Sequence, residues 1–144
     1  MKAILIIVGK TREPYIQAGV DEYVRRIGRY MPFRVEVAPE ERGSVGALRL
    51  LRENDYVVLL DERGREYRSV EFAEWLNRMQ GMSARRLAFV IGGAYGFSEE
   101  MYERADEKIS LSKLTFSHEL ARLVFAEQLY RACTILRHEP YHHE

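Results

Sequence analysis

Leu87-Ala-Phe-Val-Ile-Gly-Gly-Ala-Tyr-Gly-Phe-Ser98 reads as a buried strand, a glycine turn and a helix cap in direct succession. The run Leu87–Ile91 lacks polar alternation, which is the pattern of a parallel strand covered on both faces. Ser98 can accept an N–H of a following helix, and Glu99 and Glu100 suit the positive end of its dipole. Between them, Gly92, Gly93 and Gly96 permit positive φ and let backbone approach a ligand closely. A sharp turn needing glycine for sterics alone is the competing explanation, but one turn seldom needs three. The segment is neither G-x-G-x-x-G after a first strand nor a P-loop, because no Gly-Lys-Ser/Thr follows.

Working outward, Ala3–Val8, Phe33–Ala38 and Tyr56–Leu60 give three more short apolar strands. Amphipathic stretches separate them. Pro14–Tyr30 gathers Ile16, Val20, Tyr23, Val24 and Ile27 on one side, Ser44–Arg52 follows, and Val70–Gln80 aligns Phe72, Ala73, Trp75, Leu76 and Met79. This alternation predicts an α/β fold with a mostly parallel sheet flanked by helices on both faces. No repeat, linker or low-complexity segment divides the chain, so residues 1–144 are expected to form a single domain, long enough for a full core.

Lys plus Arg and Asp plus Glu both number 22, so no global field marks a polyanion binder. Arg25, Arg26 and Arg29, and separately Arg63, Arg65 and Arg68, are local basic clusters of the kind that usually form solvated faces. The lone Cys133 sits in an apolar helix and reads as a core residue, compatible with a reducing compartment. The N-terminal apolar run ends at Gly9-Lys10, too short for a signal or a membrane span. A cytoplasmic protein without membrane attachment is expected.

Ser117 caps a predicted helix over Glu119–Arg137 that is apolar on nearly every side. Such a helix must be covered all round, by its own fold and by a second copy of the chain. All four histidines, His118, His138, His142 and His143, lie in this C-terminal region. Parallel sheets bind ligands at the carboxyl ends of their strands, which draws attention to Val58–Gly64, to the glycine turn, and to Leu111–Phe116 with Ser117 and His118. Hydroxyls and exposed amides in the last of these can hold the polar parts of a small ligand. No metal site is expected: Pro140 breaks the helical spacing of His138 and His142, and His142 and His143 are adjacent. On residues alone, a non-catalytic α/β nucleotide-sensing module using the glycine turn fits. A small hydrolase on Ser112 or Ser117 with His118 also fits, although no G-x-S-x-G elbow is present.

Four ordered motifs then narrow the choice: Ile91–Ser98, Leu111-Ser-Lys-Leu-Thr-Phe-Ser-His118, Glu127-Gln-Leu-Tyr-Arg-Ala132 and Pro140-Tyr-His-His143. Together they resemble the small stand-alone SPOUT methyltransferases, specifically the family methylating N3 of a pseudouridine in large-subunit ribosomal RNA. The likeness extends from Ile6-Val-Gly-Lys10 through Leu59-Leu-Asp61 to the tail. The resemblance implies a C-terminal trefoil knot, an exception to the usual avoidance of threaded chains. It also implies an obligate homodimer, S-adenosylmethionine as methyl donor without a metal, and ribosomal RNA, on the assembled ribosome, as substrate. The matching cofactor positions are Leu60, Gly92, Leu111, Ser112, Lys113, Leu114, Thr115 and Phe116. N3 of pseudouridine must lose a proton before attack, so a base is needed. The candidates are His142, His143 and the carboxylates of Glu144, with Arg122 and Tyr141 positioning RNA or the tail and His118 in reserve. Imidazole is attractive as the side chain type that ordinarily titrates near neutral pH.

Overall fold

A computed structural model describes residues 1–82 and 85–143. Five parallel strands form one sheet, ordered β2-β1-β4-β3-β5, from β1 (Ala3–Val8), β2 (Phe33–Ala38), β3 (Tyr56–Glu66), β4 (Leu87–Ile91) and β5 (Glu107–Ser110). The connecting helices are α1 (Pro14–Ile27), α2 (Gly43–Leu50), α3 (Ser69–Gln80) and α4 (Glu99–Arg104), and α5 (His118–Leu136) closes the chain. A 3-10 turn at Glu40–Arg42 leads into α2.

Both faces of the sheet are covered, which explains strands without polar alternation. Leu5, Ile7, Val58, Phe89 and Ile91 pack with Ile27 of α1, Trp75 and Leu76 of α3, and Phe125 and Leu129 of α5. On the other face Ile4, Ile6, Val57, Leu59 and Val90 meet Ala47 of α2 and Met101 of α4. Phe89 and Phe125 bring their ring centroids to 4.6 Å, and Phe72 stacks on Trp75 at 5.4 Å. Removing a ring such as Phe125 by alanine substitution costs about 3–5 kcal/mol. α1 and α5 run side by side because Gly19 lacks a Cβ where Leu123 lies; an added carbon would stand 2.6 Å from Leu123 Cδ1. The apolar coat of α5 is thus used against α1, α3 and the sheet, while Leu120 stays 36% exposed.

β1, β2 and β4 have the expected bounds, but β3 and β5 differ from expectation. Glu107-Lys-Ile-Ser110 was too polar to read as a strand; only Ile109 enters the core. It is nevertheless fixed by its side chains, since the Glu107 carboxylate accepts from the Tyr56 hydroxyl at 2.7 Å and from Trp75 Nε1 at 3.0 Å. β3 continues to Glu66, beyond the expected Leu60. Ile109 pairs first with Leu60 and again with Arg65, so residues 61–64 bulge out of the ladder and return to the same partner. Gly64 makes this return possible: a Cβ there would lie 2.6 Å from Ile109 N and from the Lys108 carbonyl carbon.

The opposite, amino-terminal ends of the strands are tied by Arg86, whose Nε and Nη2 reach the Asp55 carboxylate at 2.9 and 2.7 Å. Burial pushes the Asp55 carboxyl up, but the paired Arg86, the Arg52 backbone N–H and the field of Arg104 outweigh it and hold it below its ordinary value.

Candidate active site

At the carboxyl ends of β3 and β4 three loops enclose a cavity of about 600 Å³. Leu60–Arg63 come from the β3 bulge, Ile91–Phe97 from the glycine turn, and Leu111, Ser112 and Leu114–His118 from the loop after β5, with Ala121 and Tyr102 completing the wall. This is where an open parallel sheet presents a ligand site. Leu60, Gly92, Leu111, Ser112, Leu114, Thr115 and Phe116, all expected cofactor residues, therefore converge, and His118 joins them. Lys113 does not line the cavity; its side chain is 88% exposed and its Nζ lies 3.9 Å from Glu66 Oε1.

Local chemistry shapes each loop. Gly96 N donates to Gly93 O at 3.1 Å, closing a four-residue turn, and Gly96 sits at φ +74. Gly92 lies under that turn, so that a Cβ would meet Gly96 O at 3.0 Å. Its missing side chain thus clears the turn's own backbone, rather than leaving open ligand space. Ser44 of α2 braces the turn, donating to Gly96 O at 3.4 Å and accepting from Ser98 N at 3.2 Å. In the third loop, Ser110 Oγ donates to Ser112 O at 2.9 Å and Ser112 Oγ accepts from Leu114 N at 3.0 Å, folding Leu111–Phe116 back on itself.

Both expected helix caps are formed. Ser98 Oγ accepts from Met101 N, and Ser117 Oγ accepts from Leu120 N at 3.1 Å, so Ser117 works as a cap rather than as a nucleophile. Glu119 does more than suit the dipole of α5: its carboxylate accepts the backbone N–H groups of Arg12 and Glu13 at 3.0 Å, welding the starts of α1 and α5. The Glu13 and Arg12 bonds hold the Glu119 carboxyl below its usual range.

Two acids of the Val58–Gly64 segment that the sequence marked as a candidate, but that were not among the expected cofactor or catalytic residues, line the cavity: Asp61 and Glu62. Asp61 accepts from the Tyr102 hydroxyl and from Arg63 N, and the bond to Asp61, with burial, pushes the Tyr102 hydroxyl up. The clue for Asp61 was its place just past the apolar run of β3; for Tyr102 it was one helical turn from the Ser98 cap.

Arg122 does not line this cavity; it borders a separate one with Leu5, Ile7, Thr11 and Val35. It is 1% exposed, donating from Nη2 to Val8 O at 2.8 Å and from Nη1 to Thr11 Oγ1 at 2.9 Å. Burial pulls the guanidinium below its ordinary value, and its Nε has no hydrogen-bond partner among the described residues.

None of the described tail residues, 138–143, lines the cavity of its own chain. His138 adopts φ 57, and the chain turns back along α5. Tyr141 packs edge-on against Tyr130 with centroids 4.7 Å apart and donates to Glu127 Oε2 at 2.8 Å. Burial, with the bonds to Tyr23 and Glu127, pushes the Tyr141 hydroxyl up. His142 Nδ1 lies 3.0 Å from Arg131 Nη1, and Arg131 is paired with Glu127 at 2.7 Å. His143 is exposed, and Glu144 lies outside the described residues.

Comparison with known proteins gives this architecture a family. A family model described as "Predicted SPOUT methyltransferase" matches residues 1–142. The chain is 46% identical over 157 aligned residues to the Ribosomal RNA large subunit methyltransferase H of Parabacteroides distasonis, covering 100% of both proteins. It is 48% identical, again over 100% of both, to the protein of that name from Porphyromonas gingivalis W83. The crystal structure of tRNA (m1G37) methyltransferase from Aquifex aeolicus superposes with a TM-score of 0.58 at 16% identity, covering 91% of this chain and 70% of that one, a likeness of fold alone. With its whole length matched, its parallel sheet covered on both faces and its three-loop cavity in place, the chain belongs to the SPOUT methyltransferase family.

Proposed function

We propose that the chain transfers a methyl group from S-adenosylmethionine to N3 of a pseudouridine in large-subunit ribosomal RNA, acting in the cytoplasm on the assembled ribosome. The observation that carries this reading is the end-to-end likeness to proteins named for large-subunit ribosomal RNA methylation. Supporting it is a cavity whose linings suit the cofactor. Leu60, Leu111, Leu114 and Phe116 offer apolar walls for an adenine, while Asp61, Ser112 and Thr115 offer polar groups for hydroxyls and an amino acid portion. No metal is needed, because a bound sulfonium supplies an already electrophilic methyl group.

The protein's own task is to orient and to move one proton. His142, His143 and Glu144 are the proposed acceptors for the proton on N3, with Tyr141 holding the tail in place. Arg122, 1% exposed and bonded to Val8 O and Thr11 Oγ1, would act by fixing the segment after β1 rather than by touching RNA. The tail is fastened at Glu127, roughly 13 Å along α5 from His118 at 1.5 Å per residue. We therefore place it in the cavity of a second copy, within a homodimer. The exposed edge of α5 at Leu120 and of β2 at Val37, 45% exposed, supports a partner-covered surface. The resemblance also implies a trefoil knot in the C-terminal region, where the loop after β5 lines one cavity with the β3 bulge and the glycine turn and α5 packs back on the sheet.

Incubation with radiolabelled S-adenosylmethionine and ribosomes, or separated subunits, from cells lacking the activity tests the reading. Label recovered on N3 of a pseudouridine of the large-subunit RNA is the expected result. Tight cofactor binding with no transfer to any ribosomal particle would overturn it in favour of a nucleotide-sensing module.

A further inference from the structure

We propose that Tyr95 is a substrate-binding residue: its ring is the platform on which a nucleobase of the RNA stacks at the mouth of the cavity. The inference rests on the RNA-methylation reading and adds a contact to it. Tyr95 lines the cavity, yet it is 102% exposed, whereas Tyr15, the next most exposed tyrosine among the large exposed apolar residues, is 67% exposed. No ring, cation or hydrogen-bonding group among the described residues partners it. An unpartnered aromatic ring beside a ligand cavity offers its face to a planar ligand group, which stacks there more favourably than on an aliphatic surface.

The backbone beneath this ring is fixed. Tyr95 occupies the third position of the turn closed by the 3.1 Å bond from Gly96 N to Gly93 O, and Ser44 holds that turn from α2. Phe97, the next large side chain, is anchored edge-on against Tyr102 at 5.7 Å. The ring is therefore presented on a braced loop, with only two side-chain torsions to order when a ligand arrives.

The rim around it favours a nucleotide over other occupants. Arg63 and Lys113 are exposed cations on the neighbouring loops, Lys113 88% exposed, and they suit the phosphates flanking a stacked base. The acids nearby are already engaged: Asp61 accepts from the Tyr102 hydroxyl, Glu62 accepts from Thr115 Oγ1 at 3.4 Å, and Glu66 lies 3.9 Å from Lys113 Nζ. Leu114, 75% exposed, also lines the cavity and offers a second apolar surface to a base. Two isolated apolar side chains among charges make too small a patch for a protein partner. An aromatic platform is how single-stranded RNA bases are ordinarily held, and it tolerates any base, because every base has a π face.

The experiment compares Tyr95→Ala and Tyr95→Phe with wild type in three measurements: methyl-transfer kinetics on ribosomal particles, particle binding, and S-adenosylmethionine affinity by calorimetry without RNA. Loss of a stacked base predicts a fall in kcat/KM of about 5- to 150-fold for Tyr95→Ala, with matching loss of particle binding and unchanged cofactor affinity. Tyr95→Phe keeps the ring and retains both. Wild-type kinetics in Tyr95→Ala overturn the proposal. So does an equal loss of cofactor affinity, which would make the residue a lid. Equal damage from Tyr95→Phe would assign the effect to the hydroxyl instead. Should wild type bind particles without methylating them, the function reading fails, and the binding ratio of Tyr95→Ala to wild type still decides this inference.

Discussion

Tyr141 donates its hydroxyl hydrogen to Glu127 at 2.8 Å, so the tail is fastened further along α5 than Ala121, the last residue of that helix to line the cavity. If the tail serves a neighbour's cavity, two differently disabled subunits should rescue each other. A chain truncated after Pro140 keeps an intact cavity, and Gly92→Val keeps an intact tail. Each alone is expected to transfer methyl groups poorly; the co-expressed mixed dimer should recover a substantial part of wild-type rate. No recovery in a purified mixed dimer would return the tail to its own subunit.

Gly92→Val should act through the turn it underlies. A Cβ would press on Gly96 O at 3.0 Å and Gly96 C at 3.2 Å, so the Gly93–Gly96 turn must shift to admit it. The turn is surface backbone, and its displacement leaves the core intact. Calorimetry should show S-adenosylmethionine affinity reduced at least about tenfold, a loss near 1.4 kcal/mol, with thermal unfolding shifted by only a few degrees. Undiminished affinity in a folded variant would make Gly92 a purely structural residue.

The fold was legible where burial dictated composition. β1 and β4 are covered on both faces, and their unbroken apolar runs match their bounds directly; β2, at the sheet edge, carries Arg34 and Glu36, and of its residues only Ala38 is buried. β5 was not legible, because an edge strand with one core residue, Ile109, carries almost no periodic signal; its anchoring by Glu107 to Tyr56, Tyr67 and Trp75 exists only in three dimensions. Likewise the β3 bulge, and with it the entry of Asp61, Glu62 and Arg63 into the cavity, depends on a register shift against a strand that could not be foreseen. The glycine turn and the loop after β5, by contrast, stood out in the sequence through glycine spacing and capping serines, and both line the cavity. Lys113 shows the limit of motif transfer: its neighbours line the cavity while its own side chain faces solvent.

The buried pair Asp55–Arg86 predicts an acid-sensitive stability. Because the folded Asp55 carboxyl is held below its ordinary 3.8, the unfolded chain takes up the proton first. The stabilisation is fully present above the unfolded value and is lost as pH falls through the lower folded one. Thermal unfolding of wild type should therefore weaken below about pH 4, and the slope should be shallower in Asp55→Asn. At neutral pH Asp55→Ala leaves a guanidinium 8% exposed without its carboxylate. That should cost about 3–5 kcal/mol. A neutral-pH melting temperature unchanged by Asp55→Ala would remove the pair from the stability of the sheet.

Two glycine-to-alanine changes separate rigid from yielding neighbours. At Gly64 the added carbon meets Ile109 N and the Lys108 carbonyl carbon, each at 2.6 Å, and both belong to the backbone of β5. No rotamer change relieves that contact; β5 and the far part of β3 must separate, and residues 61–63 lose their place in the cavity. At Gly19 the added carbon meets Leu123 Cδ1, also at 2.6 Å, but that atom is the end of a side chain that can rotate away. Alanine is moreover the better residue inside a helix, by about 1 kcal/mol. Urea denaturation should thus show Gly64→Ala destabilised by about 1–3 kcal/mol or more and Gly19→Ala clearly less affected. Cofactor affinity should fall in the first and persist in the second. Equal midpoints for the two variants would mean that β5 can yield as readily as a leucine side chain, and that the β3 bulge is not held by the close passage at Gly64.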